Sequence, residues 1–101
     1  MTGGVLVSLS EEAWADASQI ADWYIDQGAW PAALALQEEI VHALARIESS
    51  PGLGTPARAG TRILPIHRFP GSLVYRWTGD TVRVIAVVGQ RQRPGFWVGR
   101  V

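Results

Sequence analysis

The chain has 101 residues, of which 48% are hydrophobic and 18% charged, and its formal net charge is zero. This length and composition predict one globular domain spanning residues 1–101. No run of about 18 apolar residues is present, which excludes a transmembrane helix, and the first residues lack the regions of a signal peptide. The absence of cysteine excludes disulfides and thiolate metal sites, and we expect a cytoplasmic protein.

The two halves of the chain carry opposite charge. Residues 1–50 contain eight acidic residues and one arginine, whereas residues 51–101 contain eight arginines and one acidic residue, so the halves carry −7 and +7. This asymmetry favours an anionic partner for the basic half. Acidic helices lying over a basic sheet are an alternative explanation, and the pattern leaves both open.

Two amphipathic helices follow a short strand at Val5–Leu9. The first helix is predicted over Ser10–Gln27, with a serine cap at its start and Gly28 at its end. The second is predicted over Trp30–Glu48, with Pro31 in its first turn. The short link between them predicts an antiparallel helical hairpin.

A loop at Pro51–Gly60 separates the helices from two or three strands rich in β-branched residues. The strands are predicted at Arg62–Phe69, Ser72–Trp77 and Thr81–Val88, and turn sequences separate them. Pro65 indicates a sheet edge or a bulge in the first of these. The predicted fold class is therefore α+β: an N-terminal strand, then a two-helix hairpin packed on one face of a three- to four-stranded antiparallel sheet.

The Gly-Asp sequence at residues 79–80 predicts a two-residue turn that places Arg76 opposite Arg83. Like charges directly opposite each other destabilise a sheet, so a retained pair indicates an anion or an acidic partner. A three-residue turn would shift the register and separate the two arginines. The arginines are predicted to share a face with Val74 and Ile85. The opposite face is predicted to contain Leu73, Tyr75, Trp77, Val82, Val84 and Ala86.

The ordered set of segments resembles the ParE/RelE superfamily of small bacterial toxins from toxin–antitoxin modules. The resemblance rests on VSLSEEAWAD, IADWYIDQG, LARIESSPGLG and TRILPIHRFPGSLVYRWTGDTVRVIAVVGQR, and the R-I-L-P…R-F-P strand before L-V-Y-R suggests the ParE branch. It implies a protein that binds and inhibits DNA gyrase and is neutralised by a cognate, ParD-like antitoxin with a ribbon-helix-helix domain. It further implies contact with DNA only through the antitoxin complex, and homo- or hetero-oligomers.

The RelE branch, whose members resemble ribosome-dependent messenger-RNA endonucleases, is the alternative. Arg91 fills that branch's V-G-x-R position, but Trp97 replaces its tyrosine and Ser72 replaces its arginine before L-V-Y. Tryptophan can stack on a base but cannot exchange a proton. If the chain is a ribonuclease, its catalytic candidates are Arg62, His67, Arg68 and Arg91.

The stretch VVGQRQRPGFW ends in two arginines and two aromatic residues beyond the last strand. Tryptophan and arginine are enriched at binding hot spots, which favours contact with the antitoxin, the target or a second copy. In the alternative, the C-terminus folds back and its aromatic residues cap the core. The residues predicted to bind target or antitoxin are Arg76, Arg83, Arg91, Arg93, Phe96 and Trp97.

Other chemistries have little support. His42 lies one helical turn from Glu38 and Glu39, but with one further histidine and no cysteine we expect no metal site. The sequence lacks a phosphate-binding loop and a dinucleotide fingerprint, so no cofactor is expected. The five tryptophans indicate an exposed apolar contact surface, for which helix-face self-association is one interpretation.

Overall fold

A computed structural model of the chain describes residues 5–101. Two α-helices, five β-strands and three short 3₁₀ turns follow one another along this part of the chain. In chain order the helices and strands are β1 (Leu6–Leu9), α1 (Glu11–Asp26), α2 (Trp30–Ser49), β2 (Thr55–Pro56), β3 (Thr61–Pro65), β4 (Ser72–Thr78) and β5 (Thr81–Val88).

The helical hairpin forms where the cap signals predict it. The Ser10 hydroxyl accepts a hydrogen bond from the Ala13 amide at 3.1 Å, and two glutamates occupy the first turn of α1, where the helix dipole favours negative charge. Gly28 adopts a positive φ of 78° after the helix ends, and Pro31 lies in the first turn of α2. The predicted antiparallel hairpin is confirmed as two helices packed on the sheet.

The sheet has five strands in the order β1-β5-β4-β3-β2. The predicted three- to four-stranded antiparallel sheet was therefore wrong in detail, because β1 runs parallel to β5 and β2 adds a two-residue strand inside the expected loop. The direction of β1 could not be predicted, because an edge strand shows the same alternation of buried and exposed residues in either direction. The strand β2 was missed because two residues are too few to show alternation. The strand expected over Arg62–Phe69 ends at Pro65, beyond which the chain turns.

The β4–β5 hairpin has the predicted register near its turn. Thr78 pairs with Thr81 and Arg76 pairs with Arg83, so the alternative three-residue turn does not occur. A bulge follows between Val74 and Tyr75, and it places Ala86 opposite Val74. The predicted position of Ala86 on the Tyr75 face was wrong, because an extra residue in one strand reverses the alternation beyond it.

The core has two parts, one on each face of the sheet. The helix face contains the larger cluster, in which α2 and the central strands supply most of the buried side chains: Ala13, Leu36, Ile40, Ala43, Ile47, Leu64, Ile66, Leu73, Tyr75, Val82, Val84 and Val87. The outer face contains a smaller cluster of Val74, Ile85, Ala86 and Trp97. The molecule therefore has three layers: the helical hairpin, the sheet, and the C-terminal segment, residues 89–101.

Candidate protein-interaction surfaces

Two arginines face each other across the exposed part of the outer sheet face. The Arg83 guanidinium donates a hydrogen bond to the Ser8 hydroxyl at 3.1 Å, and Arg76 is its direct cross-strand neighbour. Within residues 5–101, the ion pairs present are His42–Glu39 and Arg100–Asp16, so neither arginine meets a carboxylate. We name this pair the arginine ladder, and its two charges are available to an acidic partner.

The arginine ladder borders an open depression with both polar and apolar walls. Hydroxyl groups of Ser10, Thr78 and Thr81 line it, with Ile85 and Arg100 at one end. Guanidinium groups match carboxylates and phosphates in two-point hydrogen bonds. The depression therefore suits an acidic side chain, whereas its exposed, shallow form does not enclose a small molecule.

A partly buried ion pair beside β5 connects α1 to the C-terminal segment. Arg100 donates to both carboxylate oxygens of Asp16, at 2.6 and 3.1 Å, and to the Ile85 carbonyl at 3.0 Å. Asp16 also accepts a hydrogen bond from the Val87 amide at 3.0 Å. The hydrogen bonds that Arg100 donates to Asp16 raise the pKa of Arg100 above its usual value. β1 pairs with β5 only as far as Val84. Beyond that residue, the ion pair hydrogen-bonds the β5 backbone in its place, at the Ile85 carbonyl and the Val87 amide.

Sequence reasoning did not identify this pair, although one signal was present. Asp16 follows Ala13 by three residues and precedes Ile20 by four, so the helical period places it on the apolar face of α1. A carboxylate on a buried face requires a partner. The partner could not be identified, because eight other arginines were equally eligible in the sequence.

The C-terminal segment folds back over the outer face, as the second of the two alternatives predicted. Trp97 is 5% exposed and packs with Val74, Ile85 and Ala86, while Phe96 is half-buried beneath the Arg100 guanidinium, 5.0 Å from its ring centroid. Their roles in partner binding stay predictions. For Trp97 such a role would require the segment to move away from the sheet.

Arg91 and Arg93 are both exposed, but their surroundings differ. The Arg91 guanidinium lies 5.1 Å from the centroid of the Trp23 ring and borders a cavity between α1 and the C-terminal segment. Arg93 is two residues further on and outside the lining of that cavity. The predicted role of both residues in binding stays a prediction.

The four candidate ribonuclease residues are not gathered at one site. Arg62 donates to the carbonyls of Gly52 and Gly54 at 3.1 and 2.8 Å, which fastens the loop after α2. His67 borders a small depression next to His42, whereas Arg91 borders the aromatic cavity. Arg68 is exposed in the β3–β4 turn, with a positive φ of 61°. Their catalytic roles stay predictions without an assembled arrangement to support them.

The helical hairpin presents an apolar groove to solvent. The groove has a volume of about 340 Å³ and runs between α1 and α2, where Leu36 and Ile40 form part of its lining. At its rim Trp14 is 62% exposed and Val41 is 57% exposed. Clustered exposed apolar side chains mark contact surfaces in soluble proteins, so this groove is a second candidate for binding a protein.

Within residues 5–101, no group of three or more His, Cys, Asp or Glu side chains is arranged to hold a metal ion. None of the helices there combines the length and the apolar character needed to cross a bilayer.

Comparisons with known proteins place these surfaces in a family context. The family model described as the ParE toxin of the type II toxin–antitoxin system parDE matches residues 7–94. A solved structure described as the chromosomal ParDE toxin–antitoxin system from P. aeruginosa is similar in fold, with a TM-score of 0.75 at 23% sequence identity. The similarity covers 87% of this chain and 98% of that chain. Among curated proteins, the sequence comparison finds no match.

Proposed function

Since this chain belongs to the ParE toxin family of type II toxin–antitoxin systems, we propose that it binds DNA gyrase and inhibits it in the cytoplasm. The observation that carries the proposal is the arginine ladder, two adjacent guanidinium groups without a carboxylate partner among residues 5–101. A protein that kept this repulsive pair for stability alone would gain nothing from it. Binding an acidic surface of a target explains why both charges are present.

Inhibition through binding also agrees with the separation of the candidate catalytic residues. Arg62 is occupied by the carbonyls of Gly52 and Gly54, and His67 and Arg91 border different depressions. A nuclease requires its acid, base and phosphate-binding groups around one phosphate. A toxin that acts by protein recognition has no such requirement.

We further propose that a ParD-like antitoxin neutralises the toxin and that its apolar segment covers the groove of the helical hairpin. The buried Leu36 and Ile40 contribute to the floor of the groove, and the exposed Trp14 and Val41 at its rim offer apolar surface to an amphipathic helix. Such segments are commonly disordered alone and fold on binding. In this proposal the antitoxin carries a ribbon-helix-helix domain, and the complex contacts DNA through that domain.

The proposal is tested by a gyrase supercoiling and cleavage assay with purified protein. We expect the wild-type chain to inhibit supercoiling or to accumulate cleaved DNA, and an excess of the antitoxin encoded beside it to reverse the effect. Combined Arg76→Gln and Arg83→Gln substitutions should weaken inhibition by about tenfold or more, because arginine is over-represented among the few residues that carry most of an interface's binding energy. Absence of inhibition by an excess of folded protein would contradict gyrase as the target.

Two variants provide the controls. Arg58→Gln removes an exposed arginine that lies outside the ladder, and we expect its inhibition to stay within about twofold of wild type, as for most residues outside a hot spot. Trp14→Glu places a charge at the rim of the hairpin groove. It should reduce reversal by the antitoxin while inhibition of gyrase persists. If Arg58→Gln loses as much inhibition as the ladder variant loses for each arginine removed, only net charge matters.

A further inference from the structure

A cavity at the end of α1 is lined by three aromatic side chains from two parts of the chain. Trp23 and Tyr24 belong to α1, and Phe69 belongs to the turn between β3 and β4. The rings meet edge to face, with centroid distances of 5.2 Å for Trp23–Tyr24 and 5.8 Å for Tyr24–Phe69. The volume is about 250 Å³, which leaves room for one further ring beside the three.

One cation, Arg91, belongs to the lining of this cavity. Arg91 lies 5.1 Å from the Trp23 ring centroid, and it makes no ion pair with any carboxylate in residues 5–101. No acidic side chain lines the cavity. A guanidinium held against a ring keeps N–H donors for a second, anionic partner.

The remaining polar groups of the lining are neutral. Gln19, Gln90 and Gln92 supply amides that both donate and accept hydrogen bonds, a capacity that suits the backbone of a bound peptide. Gly89 lies against Ile20 so closely that an added Cβ would be 3.1 Å from the isoleucine Cδ1. The missing side chain of Gly89 therefore lets the C-terminal segment approach α1 closely, two residues before Arg91.

We propose that this cavity binds a protein segment that presents an aromatic side chain next to a carboxylate. The ring of the ligand would pack among Trp23, Tyr24 and Phe69, and its carboxylate would pair with Arg91. Aromatic pairs and charge-assisted hydrogen bonds are the two interactions that this lining offers in excess of simple burial. The site is separate from the arginine ladder and from the hairpin groove.

The charges around the cavity favour a peptide over a nucleic acid. Nucleic-acid binding requires several cations placed along successive phosphates, whereas Arg91 is the single cation in this lining. Asp22 and Asp26 are exposed on the same helix as Trp23, and their charges would repel a run of phosphates more than a single carboxylate. One carboxylate beside one ring needs only the groups that are present.

The test is an NMR titration of the isotope-labelled full chain with short capped peptides. The probe is a capped Glu-Phe dipeptide, compared with capped Gln-Phe, capped Glu-Ala and adenosine monophosphate. We expect Glu-Phe at millimolar concentration to shift the Trp23 indole and the amides of residues 89–92. Removing the charge or the ring of the peptide should weaken binding about fivefold or more, because each group contributes its own interaction.

Variants of the protein complete a double-mutant cycle. Arg91→Gln should bind Glu-Phe and Gln-Phe equally, since the cation that distinguishes them is gone. Arg93→Gln, the matched control, should keep the wild-type preference. Absence of shifts in the cavity, a preference for Glu-Phe that survives Arg91→Gln, or tighter binding of adenosine monophosphate would each overturn the proposal. The titration contains neither gyrase nor antitoxin, so its failure would leave the proposed function untouched.

Discussion

The two faces of the sheet are held in different ways. The helix face is covered by two long helices, and its cluster of twelve buried residues is almost entirely apolar. The outer face is covered in part by the C-terminal segment, with four buried residues and one partly buried ion pair. The stability of an apolar cluster is spread over many weak contacts, whereas an ion pair is lost as soon as either partner is removed. The comparison predicts that the helix face supplies most of the stability, whereas the outer face carries the arginine ladder that we propose binds the target.

The largest loss of stability should come from the helix face. Ile47 is fully buried in the cluster beneath α2, and Ile47→Ala should lower the free energy of unfolding by about 3 kcal/mol through lost burial and a residual cavity. The measurement is equilibrium unfolding in urea. Val41→Ala, on the same helix at 57% exposure, is the control and should change the value by less than about 0.5 kcal/mol. Equal effects would contradict the described burial.

Removing the buried carboxylate should have the next largest effect. Asp16→Ala leaves the Val87 amide and the Arg100 guanidinium without this carboxylate partner. We expect the free energy of unfolding to fall by about 2 kcal/mol. This is less than for a fully buried pair, because Arg100 is 22% exposed. Hydrogen exchange should accelerate at Val87 and in residues 96–100 more than in α2. Asp22→Ala, an exposed position on α1, is the control and should leave exchange unchanged.

The raised pKa of Arg100 makes mutation a better probe of this pair than alkali. A folded-state pKa above the unfolded value stabilises the protein below the unfolded pKa, and this contribution is lost only as pH rises through the folded pKa. Since Arg100 already has the highest ordinary pKa among side chains and Asp16 raises it further, the guanidinium stays charged at neutral and moderately alkaline pH. Stability between pH 7 and about 10 should therefore show no transition from Arg100.

The sequence was sufficient for features that depend on neighbouring residues, and insufficient for those that depend on distant ones. The caps of α1 and the two-residue turn of the β4–β5 hairpin are local, so the helix start and the facing of Arg76 and Arg83 were predicted correctly. The Asp16–Arg100 pair joins residues 84 positions apart. The parallel direction of β1 and the bulge that moves Ala86 likewise arise from strand packing, which periodicity does not record.

The same distinction applies to the surfaces. The arginine ladder follows from one turn and could be predicted, whereas the aromatic cavity brings together α1, the β3–β4 turn and the C-terminal segment. Trp23 was identified only as one of several exposed tryptophans. Its position beside Arg91 could be obtained only from the folded chain.

A polar contact on the helix face gives a smaller, local prediction. The buried Tyr75 hydroxyl donates to the Pro51 carbonyl at 2.6 Å and accepts the Gly54 amide at 2.9 Å. Tyr75→Phe should lower the free energy of unfolding by about 1 kcal/mol, because the Gly54 amide loses its partner. Tyr24→Phe, in the half-buried aromatic cluster, is the control and should change it less. If both variants match wild type in urea unfolding, the loop after α2 does not depend on Tyr75.

The smallest expected effect is a gain in stability, and it tests most directly whether the outer face of the sheet is used for binding. Arg76→Thr removes the repulsion with Arg83 and places a β-branched residue in a strand, so the free energy of unfolding should rise by about 0.3 kcal/mol. The gain should shrink at high salt, where exposed charges are screened. Arg58→Thr, which removes an arginine outside the sheet pair, should show no such gain. A stabilised variant that binds its target less well would show that the outer face retains Arg76 for binding and not for stability.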